Sequence, residues 1–392
     1  MRLPRPVPPT PELYEFDVLI SQSGGVPATG TTVRQQPTGG SELQVVVLAE
    51  ALAALGYRVG VVGPFFAFAK DRGVAYVPFC EVGGRVDPTG APNRPSARLR
   101  ARTLVSERTG SLPPGVEFER LVFDLHDIPD ARLASVEQTM REIPDARVVV
   151  HSPFTASLLD GWPNVSVIPC MLPDEFYEPM PAAVKLNDRA HRYVYGSAAM
   201  KGLPQTLELW RELKRSKAYH WRKATLTVCS PGYDSIDPKL LEGCKDVIVQ
   251  HGLSPAGMQV LLAASDGIFM VSTFPETFGI VFHQAEIAGK PAYVLRAHGN
   301  RDALDTTLAN PETVVDRDTQ AFVDMIEAGA EMRPAKDFCV STVLPQWLDV
   351  LGLSAASGGQ GVDSQVMRDD AQTETASPPC VGPEATTQES AA

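Results

Sequence analysis

The sequence predicts an α/β chain of two parallel-sheet units facing across a cleft, with an unordered tail behind them. Three observations carry that prediction. Short apolar runs of strand length alternate with helical patterns over residues 17–169, a proline-broken passage follows, and the same alternation restarts near residue 193. Two such units joined by a Pro-rich link leave a cleft between them, and a cleft of that kind is a usual ligand site.

At 392 residues the chain is long enough for two domains, each with its own core. Residues 1–15 open as MRLPRPVPPTPE, a Pro-rich segment with no apolar h-region, so no secretory signal is expected. The first unit, residues 16–175, contains the runs DVLIS, RVGVV, LVFDL, ARVVV and VSVIP. Residues 176–190 form the linker. The second unit, residues 191–353, contains YVYGS, ATLTVCS, DVIVQHG, GIFMVST and PAYVLR. Residues 354–392 are poor in bulky apolar side chains and cannot repay the entropy of ordering, which makes them a disordered tail. Within the first unit, residues 85–115 read as a loop-like insertion carrying Arg85, Arg94, Arg98, Arg100, Arg102 and Arg108. Such a segment is either a solvated loop or a contact for an anionic acceptor or lipid surface.

The formal charge of −12 argues against nucleic acid as a partner, because phosphate backbones call for a basic face. Cys80, Cys170, Cys229, Cys244, Cys339 and Cys380 are scattered with no metal-ligand spacing. They read as buried thiols in a reducing compartment, hence a cytoplasmic location. No run of eighteen apolar residues occurs, so contact with a membrane is expected to be peripheral at most.

Chemistry concentrates where strands end and helices begin. In the first unit DVLISQ leads through SGGVPATGTTVRQQPTGG into the helix SELQVVVLAEALAALG. Leu43, Val47, Ala51 and Leu55, with Leu48 and Leu52 in the adjacent row, predict one apolar face, Ser41 with Gln44 a capping box, and Gly56 the stop. Gly39 and Gly40 then either serve turn geometry or let the backbone approach an anion such as a diphosphate at the helix N-terminus. In the second unit YVYGS is followed by AAMKGLPQTLELWREL, where Pro204 suits a first turn and Leu203, Leu207, Trp210 and Leu213 form a buried stripe. Lys201, on the short loop before that helix, is either a solvated lysine or an anion partner. The stretch PETFGIVFHQAEIAGKP places Glu276 between a strand and a helix, where ligands bind in open α/β sheets. The alternative for that carboxylate is a cap on the helix that follows.

Taken together, GGxE before a long helix, the Lys-Gly pair after the first strand of the second unit, and E-TFG with its helix resemble the retaining glycosyltransferases of the family-four type. The passage HSPFTASLLDGWPNVSVIPCMLPDEFYE is similar to the segment that closes the first domain there, and the likeness spans roughly residues 16–350. It implies a GT-B architecture: two Rossmann-like domains, with a nucleotide sugar bound mainly by the second. Position by position, it implies that Glu276 contacts the donor sugar as the first glutamate of an E-x7-E motif. Thr277, Phe278 and Gly279 would form the turn whose amides approach sugar and phosphate, Lys201 would meet the diphosphate, and Gly39 and Gly40 would lie over the phosphates. His126 resembles a histidine that faces the donor sugar, with a satisfied buried histidine as its alternative. Two positions depart from the pattern. Gln284 stands where the second glutamate bonds the ribose, and an amide can still accept from one hydroxyl and donate to another. Ser197 stands where an arginine meets the diphosphate, so Lys201, the helix N-termini and Arg296 or Arg301 would have to hold the leaving group. The resemblance implies no metal and no cofactor. The DxD sequence Asp316-Arg317-Asp318 comes late, and Asp318 reads as a helix cap. The function expected is transfer, with retention, of a sugar from a nucleotide-sugar donor to a glycan, lipid or small-molecule acceptor. A silent nucleotide-sugar binding protein and a nucleotide-sugar epimerase of the same fold are the rivals.

Overall fold

The computed structural model describes residues 12–23, 26–82, 97–128, 133–178, 191–216, 219–230 and 234–353. Two sheets organise them. The first holds β1 (Glu12–Ser21), β2 (Val59–Gly63), β3 (Ala69–Asp71), β4 (Val74–Pro78), β5 (Ala97–Glu107), β6 (Val116–Leu125), β7 (Arg147–Val150) and β8 (Val165–Val167). Their spatial order is β3-β4-β2-β1-β5-β6-β7-β8, parallel throughout except for β3 with β4. The second holds β9 (Arg192–Tyr195), β10 (Thr225–Cys229), β11 (Val247–Gln250), β12 (Gly267–Ser272), β13 (Ala292–Arg296) and β14 (Val314–Asp316). It is all parallel, in the order β11-β10-β9-β12-β13-β14. The winding direction reverses between β1 and β5 in one sheet and between β9 and β12 in the other. Loops leaving the carboxyl ends at such switch points diverge and open a crevice.

The apolar runs fall on strands because a parallel strand covered on both faces needs side chains that lose water on both sides. β2 and β12 are buried along their whole length. The basic stretch behaves differently from the loop expected over residues 85–115. Residues 97–107 are β5, eleven residues long and placed between β1 and β6. Its sequence ARLRARTLVSE alternates, with Ala97, Leu99 and Ala101 buried and Arg98, Arg100 and Arg102 exposed, which is the period of a half-covered strand. Two of the exposed arginines are neutralised across strands: Arg98 and Arg100 pair with Glu117, and Arg100 Nη1 lies 3.3 Å from Glu15. Arg85 and Arg94 lie outside the described residues.

The helix Gly40–Ala54 is not the one-faced amphipathic helix its spacing suggests. Val45, Val46 and Ala49 are as buried as Leu43, Val47 and Leu48 of the predicted face, while Leu55 is exposed. The cause is coverage on both sides, by the sheet and by the C-terminal helix Val340–Leu351 in one shared core. The predicted capping box is absent as well. Gly39 is the N-cap and offers no side chain, and Gln44 instead exchanges two hydrogen bonds with the backbone of Met171, at 2.7 and 2.8 Å. Gly56 does end the helix, at φ +90°. Asp318 caps its helix as expected, its carboxylate accepting from Ala321 N at 2.9 Å.

The chain crosses back after the second sheet. Leu172 N donates to Phe338 O at 2.9 Å, and the helix Val340–Leu351 then packs on the first unit. Its C-terminal carbonyl, Leu351 O, accepts from Thr103 Oγ1 on β5 and Arg120 Nη1 on β6. Trp347 fills that contact, 2% exposed. Trp347→Ala is expected to cost about 3–5 kcal/mol, read as a lowered denaturant midpoint; a loss below about 1 kcal/mol would mean the crossing helix adds little to the first unit's core. The expected tail, 354–392, lies outside the described residues. Among the described residues no helix is long and apolar enough to cross a membrane.

Candidate active site

The two switch points look onto one cleft of about 640 Å³, lined by the site residues expected from the sequence except Arg296 and Arg301. Two helix N-termini enter from opposite sides. The helix Gly40–Ala54 starts behind Gly39 and the helix Ile280–Ile287 starts behind Gly279, neither with a side-chain cap. A Cβ placed on Gly40 would lie 3.1 Å from Ile280 Cδ1, so the two termini approach closely. First-turn amides left without partners, together with the helix dipoles, favour an anion between them. Gly279 is required for its own reason: it has φ +88°, and a Cβ would sit 2.5 Å from Leu304 Cδ2.

Gly202, at φ +125°, lets the loop after β9 press against β12, because a Cβ there would strike Val271 O at 1.9 Å. That contact places Lys201, whose carbonyl accepts from Thr273 N at 3.1 Å. Its Nζ lies 2.9 Å from both oxygens of Glu276. The Glu276 carboxylate is thus bound by a lysine and does not cap the following helix. Its own backbone is held in place by Asp302 and Ala303: Glu276 N donates to Asp302 Oδ2 at 3.3 Å, and Ala303 N donates to Glu276 O at 3.1 Å. Burial pushes the Asp302 carboxyl up to about 6.

Arg296 is not available to a leaving group. Its guanidinium donates to Asp316, Asp302 and Asp305 at 2.6, 3.2 and 2.9 Å, so three carboxylates already neutralise it. Arg301 forms no part of the cleft wall. The cation the sequence reading did not place there is Arg108, directly after β5. It takes φ +66°, an uncommon conformation for a side chain of that size, and its guanidinium pairs bidentately with Asp127 at 2.7 and 2.9 Å. Nη1 also reaches Ser41 Oγ at 3.3 Å.

The remaining expected residues divide by what their side chains can do. Ser197 and Gln284 sit in the cleft wall of the second unit, and Gln284 Nε2 donates to Pro255 O at 3.3 Å. Phe278 is buried, its ring packed edge-on against that of Phe338 with centroids 5.3 Å apart. Thr277 bridges the units, its hydroxyl donating to His126 O at 2.7 Å. His126 follows β6, with Nε2 3.0 Å from Asp124 Oδ2. Its ring stacks on that of His151, centroids 4.2 Å apart. Burial alone would lower the His126 pKa, but the Asp124 carboxylate outweighs it and raises the ring to about 9. Cys170 completes this wall. No local spacing announces the group, since Asp124, His151 and Cys170 come from three different strand ends.

No family model matches the chain, and no curated protein does. Solved structures do. Sucrose-phosphate synthase from Thermosynechococcus elongatus is 15% identical with a TM-score of 0.56, over 87% of this chain and 92% of that one. WaaG, a glycosyltransferase involved in lipopolysaccharide biosynthesis, is 15% identical with a TM-score of 0.53, over 87% and 95%. HepE from Anabaena, in complex with UDP-glucose, is 14% identical with a TM-score of 0.54, over 87% and 93%. At such identities the likeness speaks to architecture, and it agrees with the two parallel sheets, their switch points and the crossing C-terminal helix: the chain has the GT-B fold.

Proposed function

We propose that the protein is a glycosyltransferase that moves a sugar from a nucleotide-sugar donor to an acceptor, with retention of configuration and without a metal. The observation that carries this reading is the gathering of Glu276, Lys201, His126 and two uncapped helix N-termini around one cleft. Cleaving the bond to a nucleoside diphosphate develops positive charge on the sugar and negative charge on the departing phosphate. Lys201 and the amides at Gly40 and Ile280 answer the second, as preorganised donors already aimed at the site. Glu276 answers the first by fixing sugar hydroxyls and favouring an oxocarbenium-like centre. The donor must part the Lys201–Glu276 pair, its diphosphate taking the lysine and its sugar the carboxylate. The UDP-glucose bound in HepE supports a donor of this class. A cytoplasmic protein with a glycan, lipid or small-molecule acceptor belongs to the same reading.

The test is incubation with a panel of nucleotide sugars and acceptors in excess chelator, with the product anomer read by NMR. Transfer or slow donor hydrolysis with retention is the expected result. Binding without turnover would make the protein a nucleotide-sugar binder, and an epimerised donor would make it an epimerase. An inverted product would remove the retaining mechanism. Complete dependence on added manganese or magnesium would remove the metal-free one.

A further inference from the structure

One cluster in the cleft wall has a use that sugar transfer does not require. Asp124 ends β6, His126 follows it, His151 follows β7 and Cys170 follows β8, and the ligand atoms of His126, His151 and Cys170 all lie within 4.8 Å of one another. Both imidazoles are held in place: His151 Nδ1 donates to Ile168 O at 2.9 Å while its Nε2 faces Asp124 Oδ1, and His126 Nε2 meets Asp124 Oδ2. Histidines that ligate metals are held in this way, by a carbonyl or carboxylate on the far nitrogen.

Asp124 serves both rings: its Oδ1 lies 3.1 Å from His151 Nε2 and its Oδ2 3.0 Å from His126 Nε2, with Asp124 3% and His151 2% exposed. We infer that His126, His151 and Cys170 form a binding site for a soft divalent cation of the zinc class, with Asp124 orienting its ligands.

The donor set decides the class. A thiolate with imidazoles suits zinc or cobalt, whereas magnesium, calcium and manganese prefer carboxylate and carbonyl oxygens. Zinc bonds of about 2.0 Å to nitrogen and about 2.3 Å to sulfur are compatible with three ligand atoms that already lie within 4.8 Å of one another. An ion held there fills the end of the cleft beside His126 and leaves Lys201 and the opposing helix termini untouched. The binding site does not depend on the transferase reading. Only its consequence does: under that reading, zinc excludes the donor sugar and inhibits without being a cofactor.

The experiment is titration of the purified, metal-free protein with cobalt(II), followed by visible and near-ultraviolet absorption. The expected result is one equivalent bound with tetrahedral d–d bands and a thiolate-to-cobalt charge-transfer band, both bleached by one equivalent of zinc. Cys170→Ser should lose the charge-transfer band while Cys229→Ser keeps it, with melting curves showing that both fold. A wild-type protein without the tetrahedral spectrum, or an unchanged band in Cys170→Ser, overturns the site. If Cys170→Ser does not fold, X-ray absorption of the zinc-loaded wild type decides: a shell with one sulfur and two imidazoles supports the site, and a shell of oxygens overturns it. None of these readouts uses transfer activity, so failure of the metal site and failure of the proposed function are separable.

Discussion

Glu276→Gln is expected to lower sugar-transfer turnover by roughly a hundredfold or more while the melting temperature changes little. A hundredfold is about 2.7 kcal/mol of transition-state stabilisation. The side chain is 8% exposed and both its oxygens face Lys201 Nζ at 2.9 Å, with no helix amide among its partners. Glutamine keeps the shape and removes the charge opposite a developing cation in a low-dielectric cleft, where charge counts most. The stability lost with the ion pair is small, because Lys201 is partly solvated and pairs of that kind contribute little. Affinity for the nucleoside diphosphate should hold or improve, since the lysine no longer has a carboxylate to leave. The measurements to pair are a melting curve, the transfer rate and calorimetry with the diphosphate. A variant that loses stability and keeps its rate would make Glu276 a structural residue.

What the sequence revealed follows from where its signals come from. Strands buried on both faces announce themselves as apolar runs, so DVLIS, LVFDL and GIFMVST can be read directly. β5 hides because its outer face carries Arg98, Arg100 and Arg102, and the alternation of a half-covered strand is easily mistaken for a basic loop. The helix Gly40–Ala54 shows its length but not its burial, because the C-terminal helix that covers its outer side returns from some 300 residues away along the chain.

The site divides in the same way. Residues at strand-to-helix turns can be placed from the sequence: Lys201 on the short loop after β9 and Glu276 between strand and helix, whereas Gly279 enters only through the family resemblance. Residues whose part in the cleft is tertiary cannot. Nothing near Arg296 in the sequence says that Asp302, Asp305 and Asp316 will converge on it, and nothing near Arg108 says that its guanidinium will enter the cleft against Asp127 and Ser41. His126 could be placed at a strand end, but its partners Asp124, His151 and Cys170 are joined only by the parallel packing of β6, β7 and β8.

Lys201→Ala is expected to weaken nucleoside diphosphate binding by close to a hundredfold. Losing a charge-assisted hydrogen bond costs about 1.5–3 kcal/mol, which is roughly ten- to a hundredfold in affinity. Three features of the cleft put this site at the upper end. Arg296 is spent on three aspartates, Ser197 brings no charge, and Arg108 is already paired with Asp127 on the opposite unit. Among the described residues, no second cation of the second unit lines the cleft. A fourth contribution comes from the partner left behind. Without Lys201 the buried Glu276 carboxylate loses its counter-charge and repels the incoming diphosphate. That makes the two residues energetically coupled, and coupled neighbours give non-additive effects. The double variant Lys201→Ala/Glu276→Gln should therefore bind the nucleotide more tightly than Lys201→Ala alone, although turnover stays low in both. Calorimetry on the wild type, the two single variants and the double variant closes the cycle. Unchanged affinity in Lys201→Ala would mean that the phosphates lie elsewhere in the cleft. A double variant no tighter than the single one would mean that Glu276 is already remote from the phosphates once the donor is bound.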